Sequence, residues 1–189
     1  MLYPFKFRAQ LFHKLWGGHT IEKWYDHVPA DYENVGEAWV ISDIEKYPTE
    51  VSNGSHAGDS LQDLLEVYMD ELVGEKVYEV FGNQFPLLMK FIDASDDLSI
   101  QVHPDDEYAL ENEQSAGKTE MWYVLPSQGK GSIYLGWNQT MNASLIHAKK
   151  SATFGYQTEG GIHFIYLTAA ATFWPQAYPN HRDELAEHS

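Results

Sequence analysis

Short apolar and aromatic runs of strand length divide this chain, and segments rich in Gly, Pro, Ser and Asn separate them. Such runs are typical of β-strands joined by tight turns, and many of them with few helices indicate a β-sandwich or barrel. Aromatic residues make up 14% of the sequence, which favours the same class. The predicted strands are WVISD (39–43), residues 86–93, residues 98–103, EMWYVL (120–125), SIYLGW (132–137) and GIHFIYLT (161–168).

The run at 98–103 alternates strictly between apolar and polar residues before Pro104 ends it. Period-two alternation gives a strand one apolar side and one polar side, and the polar side here carries Ser99, Gln101 and His103. If this strand lies beside the one that begins at Glu120, the donor atoms of Gln101, His103 and Glu120 converge. Such oxygen and nitrogen donors suit zinc or another divalent metal. An ordinary hydrogen-bonded histidine explains the spacing equally well, so the spacing leaves both interpretations open.

Lys118 and Glu120 are two residues apart, so on an extended segment they share a face. This pair places a cation where an anionic substrate could bind. The alternative is a solvated surface ion pair worth about 0–1 kcal/mol.

One helix is predicted over residues 60–73. Ser60 is a suitable N-cap, Asp63 stands at the capping-box position, apolar residues follow at helical spacing, and Gly74 ends the pattern. The acidic residues Asp105, Asp106 and Glu107 are interpreted as a polar turn before EYALEN.

Length and charge limit the function. A chain of 189 residues fits one domain with a sizeable core. Its formal net charge of −16 repels nucleic acid and anionic membranes, and a phosphorylated substrate would need a local group of cations. No cysteine is present, so thiolate metal sites and disulfides are excluded. The N-terminus has no apolar signal region and no run is long enough to span a membrane, so we predict a cytoplasmic protein.

Four segments together resemble type I phosphomannose isomerase of the cupin superfamily, in its bacterial short form. They are LWGG (15–18), GEAWVISD (36–43), FPLLMKFIDASDDLSIQVHPDDEYA (85–109) and GKTEMWYVL (117–125). They occur in the family's order between about residues 8 and 137, and QVHPDD combined with GKTE is highly specific. The resemblance implies a cupin-type jelly-roll barrel.

The same resemblance implies the site. Gln101, His103 and Glu120 match three ligands of a zinc ion. Lys118 and Ser99 match residues that bind the substrate's phosphate or hydroxyl groups. Trp16 and Glu37 line or support the same region, and Lys118 and Glu37 are the predicted catalytic side chains.

The implied reaction interconverts mannose 6-phosphate and fructose 6-phosphate through a cis-enediol, with zinc as a Lewis acid. A general base must also move a proton between C1 and C2, and the sequence does not identify it. The alternatives are a catalytically inactive cupin module that binds metal or sugar phosphate, and another cupin enzyme such as a sugar-phosphate epimerase or a dioxygenase. The sequence predicts no oligomeric state.

The chain departs from the family after about residue 140. The family's fourth ligand is a histidine, but the aligned position falls near Thr172. His163 is the available substitute, whereas no motif surrounds His147 or His181. The family's catalytic arginine has no match, since Arg182 lies in the polar tail.

We therefore predict an incomplete catalytic domain at 1–175 and a polar tail at 176–189. A fragment, an altered reading frame and a degenerate relative are the three explanations of this departure.

Overall fold

A computed structural model describes residues 2–25, 28, 32–98, 106–114 and 116–125, together with the backbone of a strand at 162–169. Within these residues the chain is mainly β with a few short helices, which confirms the predicted fold class. It also has two 3-10 turns, at Ile21–Trp24 and Gly54–His56. The strands are β1 (Phe7–Arg8), β2 (Gln10–Gly18), β3 (Val35–Ile41), β4 (Glu50–Val51), β5 (Leu87–Ala94), β6 (Glu120–Val124) and β7 (Ile162–Ala169), and the helices are α1 (Leu61–Tyr68), α2 (Asp70–Val73), α3 (Glu75–Phe81) and α4 (Asp106–Glu113).

Five strands form one antiparallel sheet in the order β2, β3, β5, β7, β6, while β1 pairs with β4. Trp39 of β3 lies opposite Lys90 of β5, and Lys90 lies opposite position 166 of β7. Position 168 of β7 lies opposite Glu120 of β6. Directly opposed residues lie on the same side of a sheet and alternate positions share a face. Lys90 and Glu120 therefore belong to one face, together with Trp39.

The apolar core lies on the other face. Ala38 of β3 and Phe91 of β5 are register partners on that face, and they pack with Ala9 and Ile21. Ala38 and Ile21 are fully buried. Because burial of apolar surface occurs on this side, the opposite face can carry polar and charged groups.

Four predicted strands are confirmed, three of them with ends that shift by one residue at most. The prediction at 86–93 is observed as β5, 120–125 as β6 and 161–168 as β7. The strand predicted at 39–43 begins earlier, at Val35, because VGEAWVI is continuously extended. The segments 98–103 and 132–137 and the tail at 176–189 lie outside the described residues.

The predicted helix begins as expected, with a complete capping box. Ser60 N–H donates to Asp63 Oδ2 at 2.8 Å, and Asp63 N–H donates to Ser60 Oγ at 3.1 Å. The helix does not run unbroken to residue 73, because Met69, with φ 47° and ψ −123°, separates α1 from α2.

The interpretation of the acidic run as a turn was wrong at Asp106 and Glu107, which form the first turn of α4. The positive end of the helix dipole stabilises carboxylates at that position.

Candidate functional site

A buried carboxylate, Glu37, occupies the centre of the charged side of the sheet. It lies in β3 with a residue exposure of only 8%. Its Oε2 lies 3.3 Å from Lys90 Nζ and accepts a hydrogen bond of 2.7 Å from Trp39 Nε1. Its Oε1 lies 3.5 Å from Lys14 Nζ. Three donors from β2, β3 and β5 thus converge on one carboxylate.

These donors keep Glu37 ionised. Burial by itself raises the pKa of a carboxyl group, but attraction to Lys90 and Lys14 and the hydrogen bond from Trp39 outweigh burial. The pKa of Glu37 consequently lies below its ordinary value of 4.5. Glu37 is a fixed negative charge at neutral pH.

Aromatic rings border this carboxylate. Phe12 and Trp39 lie 4.5 Å apart between ring centroids, and Tyr47 packs edge-on against both. Lys90 Nζ lies 5.8 Å from the Trp39 centroid and Lys14 Nζ lies 5.9 Å from the Phe12 centroid. Both distances are within the range of cation–π attraction, which further stabilises the two ammonium groups at these positions.

Lys118 and Glu120 form a second ion pair on β6 and the residues before it. Lys118 Nζ lies 3.2 Å from Glu120 Oε1, and the two side chains are 13% and 14% exposed. The pair is therefore largely removed from water, unlike the solvated surface pair that the spacing also allowed.

Burial lowers the pKa of Lys118, attraction to Glu120 raises it and repulsion from Lys90 lowers it again, with Glu37 also acting on it. The net shift is downward. Because the charges of Lys90 and Glu37 both act on the pKa of Lys118, the Lys118–Glu120 pair interacts electrostatically with Glu37 and its lysines. We call Lys14, Glu37, Lys90, Lys118 and Glu120 the charged cluster.

The charged cluster holds three ammonium groups and two carboxylates within a chain of net charge −16. These lysines concentrate positive charge at one place in an otherwise acidic chain, which a phosphorylated substrate would need in order to bind.

Trp16 lies beside Lys14, a member of this cluster. A Cβ atom placed on Gly36 would lie 2.8 Å from Trp16 Cζ3 and 2.7 Å from Lys14 Cβ, so both side chains pack on Gly36, the residue before Glu37. Of the residues that the sequence assigned to the site, Glu37, Lys118 and Glu120 thus belong to the charged cluster, and Trp16 contacts it through Gly36 and Lys14. Ser99, Gln101 and His103 lie outside the described residues.

The register places position 163 of β7 opposite Asp93 and position 168 opposite Glu120. These two positions are five residues apart, which corresponds to about 17 Å along a strand. His163 and Glu120 therefore occupy opposite ends of the strand pair.

Among the described residues, no three His, Asp or Glu side chains gather as a metal site. Glu120 nevertheless offers a largely buried carboxylate, which is a donor that zinc accepts. An amide oxygen from Gln101 and an imidazole from His103 would complete a chemically suitable set. By donor type alone, the predicted set of Gln101, His103 and Glu120 suits zinc.

Lys14, Lys90 and Trp39 belong to the site although sequence reasoning did not assign them to it. A signal for Lys90 was available, because it is the single charged residue within the apolar run LLMKFI. A charge in the middle of a buried strand points to a partner across the sheet. Lys14 had no comparable signal.

In the part of the chain that is described, no helix has the length and apolar character needed to cross a membrane.

The strand order and the charged cluster define a mainly β, cupin-type domain with a charged site on one face of its sheet. The family model for the type I phosphomannose isomerase catalytic domain matches residues 4–133, which is more than half of the chain. The chain belongs to this family.

The chain is 40% identical over 141 residues to a mannose-6-phosphate isomerase of Streptococcus mutans, covering 72% of this chain and 41% of that protein. It is 35% identical over 143 residues to mannose-6-phosphate isomerase ManA of Bacillus subtilis, covering 75% of this chain and 43% of the relative. The crystal structure of mannose 6-phosphate isomerase from Bacillus subtilis matches with a TM-score of 0.68 and 28% identity, over 89% of this chain and 59% of the other. The chain thus spans about two fifths of the length of the curated relatives.

Proposed function

We propose that this chain carries the metal- and substrate-binding part of a mannose-6-phosphate isomerase, which interconverts mannose 6-phosphate and fructose 6-phosphate through a cis-enediol. The observation that carries the proposal is the charged cluster, whose cations concentrate on one sheet face of a strongly acidic chain. The names of the relatives supply the substrate class. Cytoplasmic location remains part of the proposal, and cell fractionation would test it.

The proposed zinc ligands are Gln101, His103 and Glu120. When bound, zinc supplies Lewis-acid polarisation of the sugar oxygens, which makes the neighbouring C–H more acidic. We leave His163 out of this set, because its strand position lies about 17 Å from the position opposite Glu120.

Each remaining side chain of the proposed site has a distinct role. Lys118 directs an ammonium group to the substrate oxygens, and Ser99 adds a hydroxyl donor. Trp16 forms a wall that excludes water from one side. Glu37 was predicted to be catalytic, but three donors already engage its carboxylate, so we assign it to holding Lys14 and Lys90 in place.

Zinc content and turnover test the proposal together. Elemental measurement should find one zinc per chain, and a coupled assay should detect fructose 6-phosphate formed from mannose 6-phosphate. Zinc without turnover would support the inactive binding module instead. The absence of both in the intact chain would refute the proposal.

A ligand variant tests the metal assignment. His103→Ala should lose zinc, because deletion of one of three protein ligands lowers affinity steeply. His147→Ala is the matched control and should retain zinc, since no ligand motif surrounds His147. Equal zinc occupancy in the two variants would contradict the assignment.

A further inference from the structure

The three lysines of the charged cluster differ in how far water reaches them. The Lys14 side chain is 35% exposed, whereas those of Lys90 and Lys118 are 12% and 13% exposed. An ammonium group that water reaches is also within reach of an anion that arrives from solvent. Lys14 is therefore the lysine of the cluster that is best placed to contact a charged group of a ligand directly.

The positive charge of Lys14 is only partly offset. Within the described residues, its ion-pair partner is Glu37, whose Oε1 lies 3.5 Å from Lys14 Nζ. The same carboxylate also accepts hydrogen bonds from Lys90 Nζ at 3.3 Å and from Trp39 Nε1 at 2.7 Å. Because these donors share one negative charge, Glu37 orients the Lys14 ammonium group and leaves it able to attract a second anion.

The stem of Lys14 is fixed while its ammonium group stays accessible. A Cβ atom on Gly36 would lie 2.7 Å from both Cβ and Cγ of Lys14, so only glycine at position 36 lets this stem lie against β3. Lys14 N–H donates to the carbonyl oxygen of Asn34, just before β3, at 3.1 Å. A stem that is already ordered loses less conformational entropy when its ammonium group binds a ligand.

Lys14 also lies next to the predicted substrate wall. Trp16 follows it by two residues in β2, and Trp16 Cζ3 would lie 2.8 Å from the same Cβ atom on Gly36. A ligand that contacts the Trp16 ring therefore has the Lys14 side chain as its neighbour.

We propose that Lys14 binds the phosphoryl group of the sugar phosphate and so selects phosphorylated over unphosphorylated sugars. This proposal rests on the proposed function and adds to it a residue outside the predicted site. A phosphoryl group carries negative charge and several acceptor oxygens, which suit an accessible ammonium group with three donors. Lys118 then contacts substrate oxygens at the more buried end of the cluster.

Isothermal titration calorimetry on the intact chain tests this role without requiring turnover. Lys14→Met keeps the length of the stem and removes the charge, so the dissociation constant for mannose 6-phosphate should rise about 10-fold. The dissociation constant for inorganic phosphate should rise by a similar factor, and zinc content should not change. Lys14→Arg keeps the charge and should restore most of the affinity. Lys76→Met, at an exposed lysine of α3, is the matched control and should bind like the natural chain.

Three results would overturn the proposal. If Lys14 only stabilises Glu37, Lys14→Met lowers the melting temperature and leaves both dissociation constants unchanged. If Lys14→Met weakens unphosphorylated mannose as much as mannose 6-phosphate, the lost contact is not with the phosphoryl group. A natural chain that binds neither mannose 6-phosphate nor inorganic phosphate has no such site.

Failure of the proposed function gives a separate result. A natural chain that binds mannose 6-phosphate through Lys14 but converts none of it, even with zinc supplied, would keep the binding role of Lys14 and would not be an isomerase.

Discussion

The charge state of Glu37 determines how the lysines around it are arranged. Moving a carboxylate out of water is costly, and only close, well-directed partners compensate for it. Glu37 has such partners in Lys90, Lys14 and Trp39. In return, the carboxylate keeps two ammonium groups on one side of the sheet, where they would otherwise repel each other.

Glu37→Gln should lower the free energy of unfolding by about 3 kcal/mol at neutral pH, because it removes the negative charge that lies 3.3 Å from the largely buried Lys90 ammonium. The pKa of Glu37 lies below 4.5 in the folded chain, so its contribution is present above pH 4.5 and is lost as the pH falls through the folded-state pKa. Urea unfolding of both proteins between about pH 7 and about pH 3.5 should therefore show a difference that shrinks in acid.

Glu45→Gln is the matched control for this experiment, because Glu45 lies in an exposed turn. It should change the unfolding free energy by less than about 0.5 kcal/mol at any of these pH values. A Glu37→Gln difference that is independent of pH would mean that packing, and not charge, is lost.

At the level of elements, the sequence predicted strands where a short apolar and aromatic run stands between turn residues. The runs that became β5, β6 and β7 are such cases. The strand β2 was missed because QLFHKLWGG mixes charged and apolar residues on both sides, and its register with β3 shifts twice. The helix α3 was missed as well, since the prediction ended at Gly74 and the helical conformation resumes there.

The site was predicted only where motif resemblance supplied the roles. Local spacing showed that Lys118 and Glu120 share a face, and their ion pair bears this out. It could not show that Glu37 interacts with Lys14 and Lys90, because those contacts depend on the order of strands in the sheet. Residues 23 and 53 positions away from Glu37 in the chain become its neighbours only after β2, β3 and β5 pair.

The backbone is strained at the residue that separates α1 from α2. Met69 has φ 47° and ψ −123°, a conformation that strongly favours glycine. The residue is 45% exposed, so removal of its side chain costs little packing. Met69→Gly should raise the free energy of unfolding by about 1 kcal/mol, measured by urea denaturation.

Gly82 provides the reciprocal experiment. It ends α3 with φ 58° and ψ −131°, and a Cβ there would meet no atom within 4 Å. Gly82→Ala should therefore destabilise the chain through backbone strain alone, by about 1 kcal/mol or more. If Met69→Gly destabilises while Gly82→Ala is neutral, strain does not control these junctions.

On the scale of the whole molecule, two electrostatic effects oppose each other. The net charge of −16 repels a sugar phosphate at long range, whereas the charged cluster attracts it once it is close. Salt separates these effects, because the screening length falls from about 30 Å at 0.01 M to about 8 Å at 0.15 M. Long-range repulsion is screened first, while contacts of 3–4 Å within a largely buried cluster are screened much less.

If the proposed function is correct, the KM for mannose 6-phosphate should fall about 2-fold or more when sodium chloride is raised from about 0.01 M to about 0.15 M. A chain with Glu66→Gln and Glu71→Gln, two exposed changes on α1 and α2 away from the sheet, carries less negative charge and should show a weaker salt effect. Lys90→Met should raise KM at both salt concentrations, because it removes short-range attraction. A KM that rises steadily with salt in the natural chain would show instead that attraction by the charged cluster dominates at every distance.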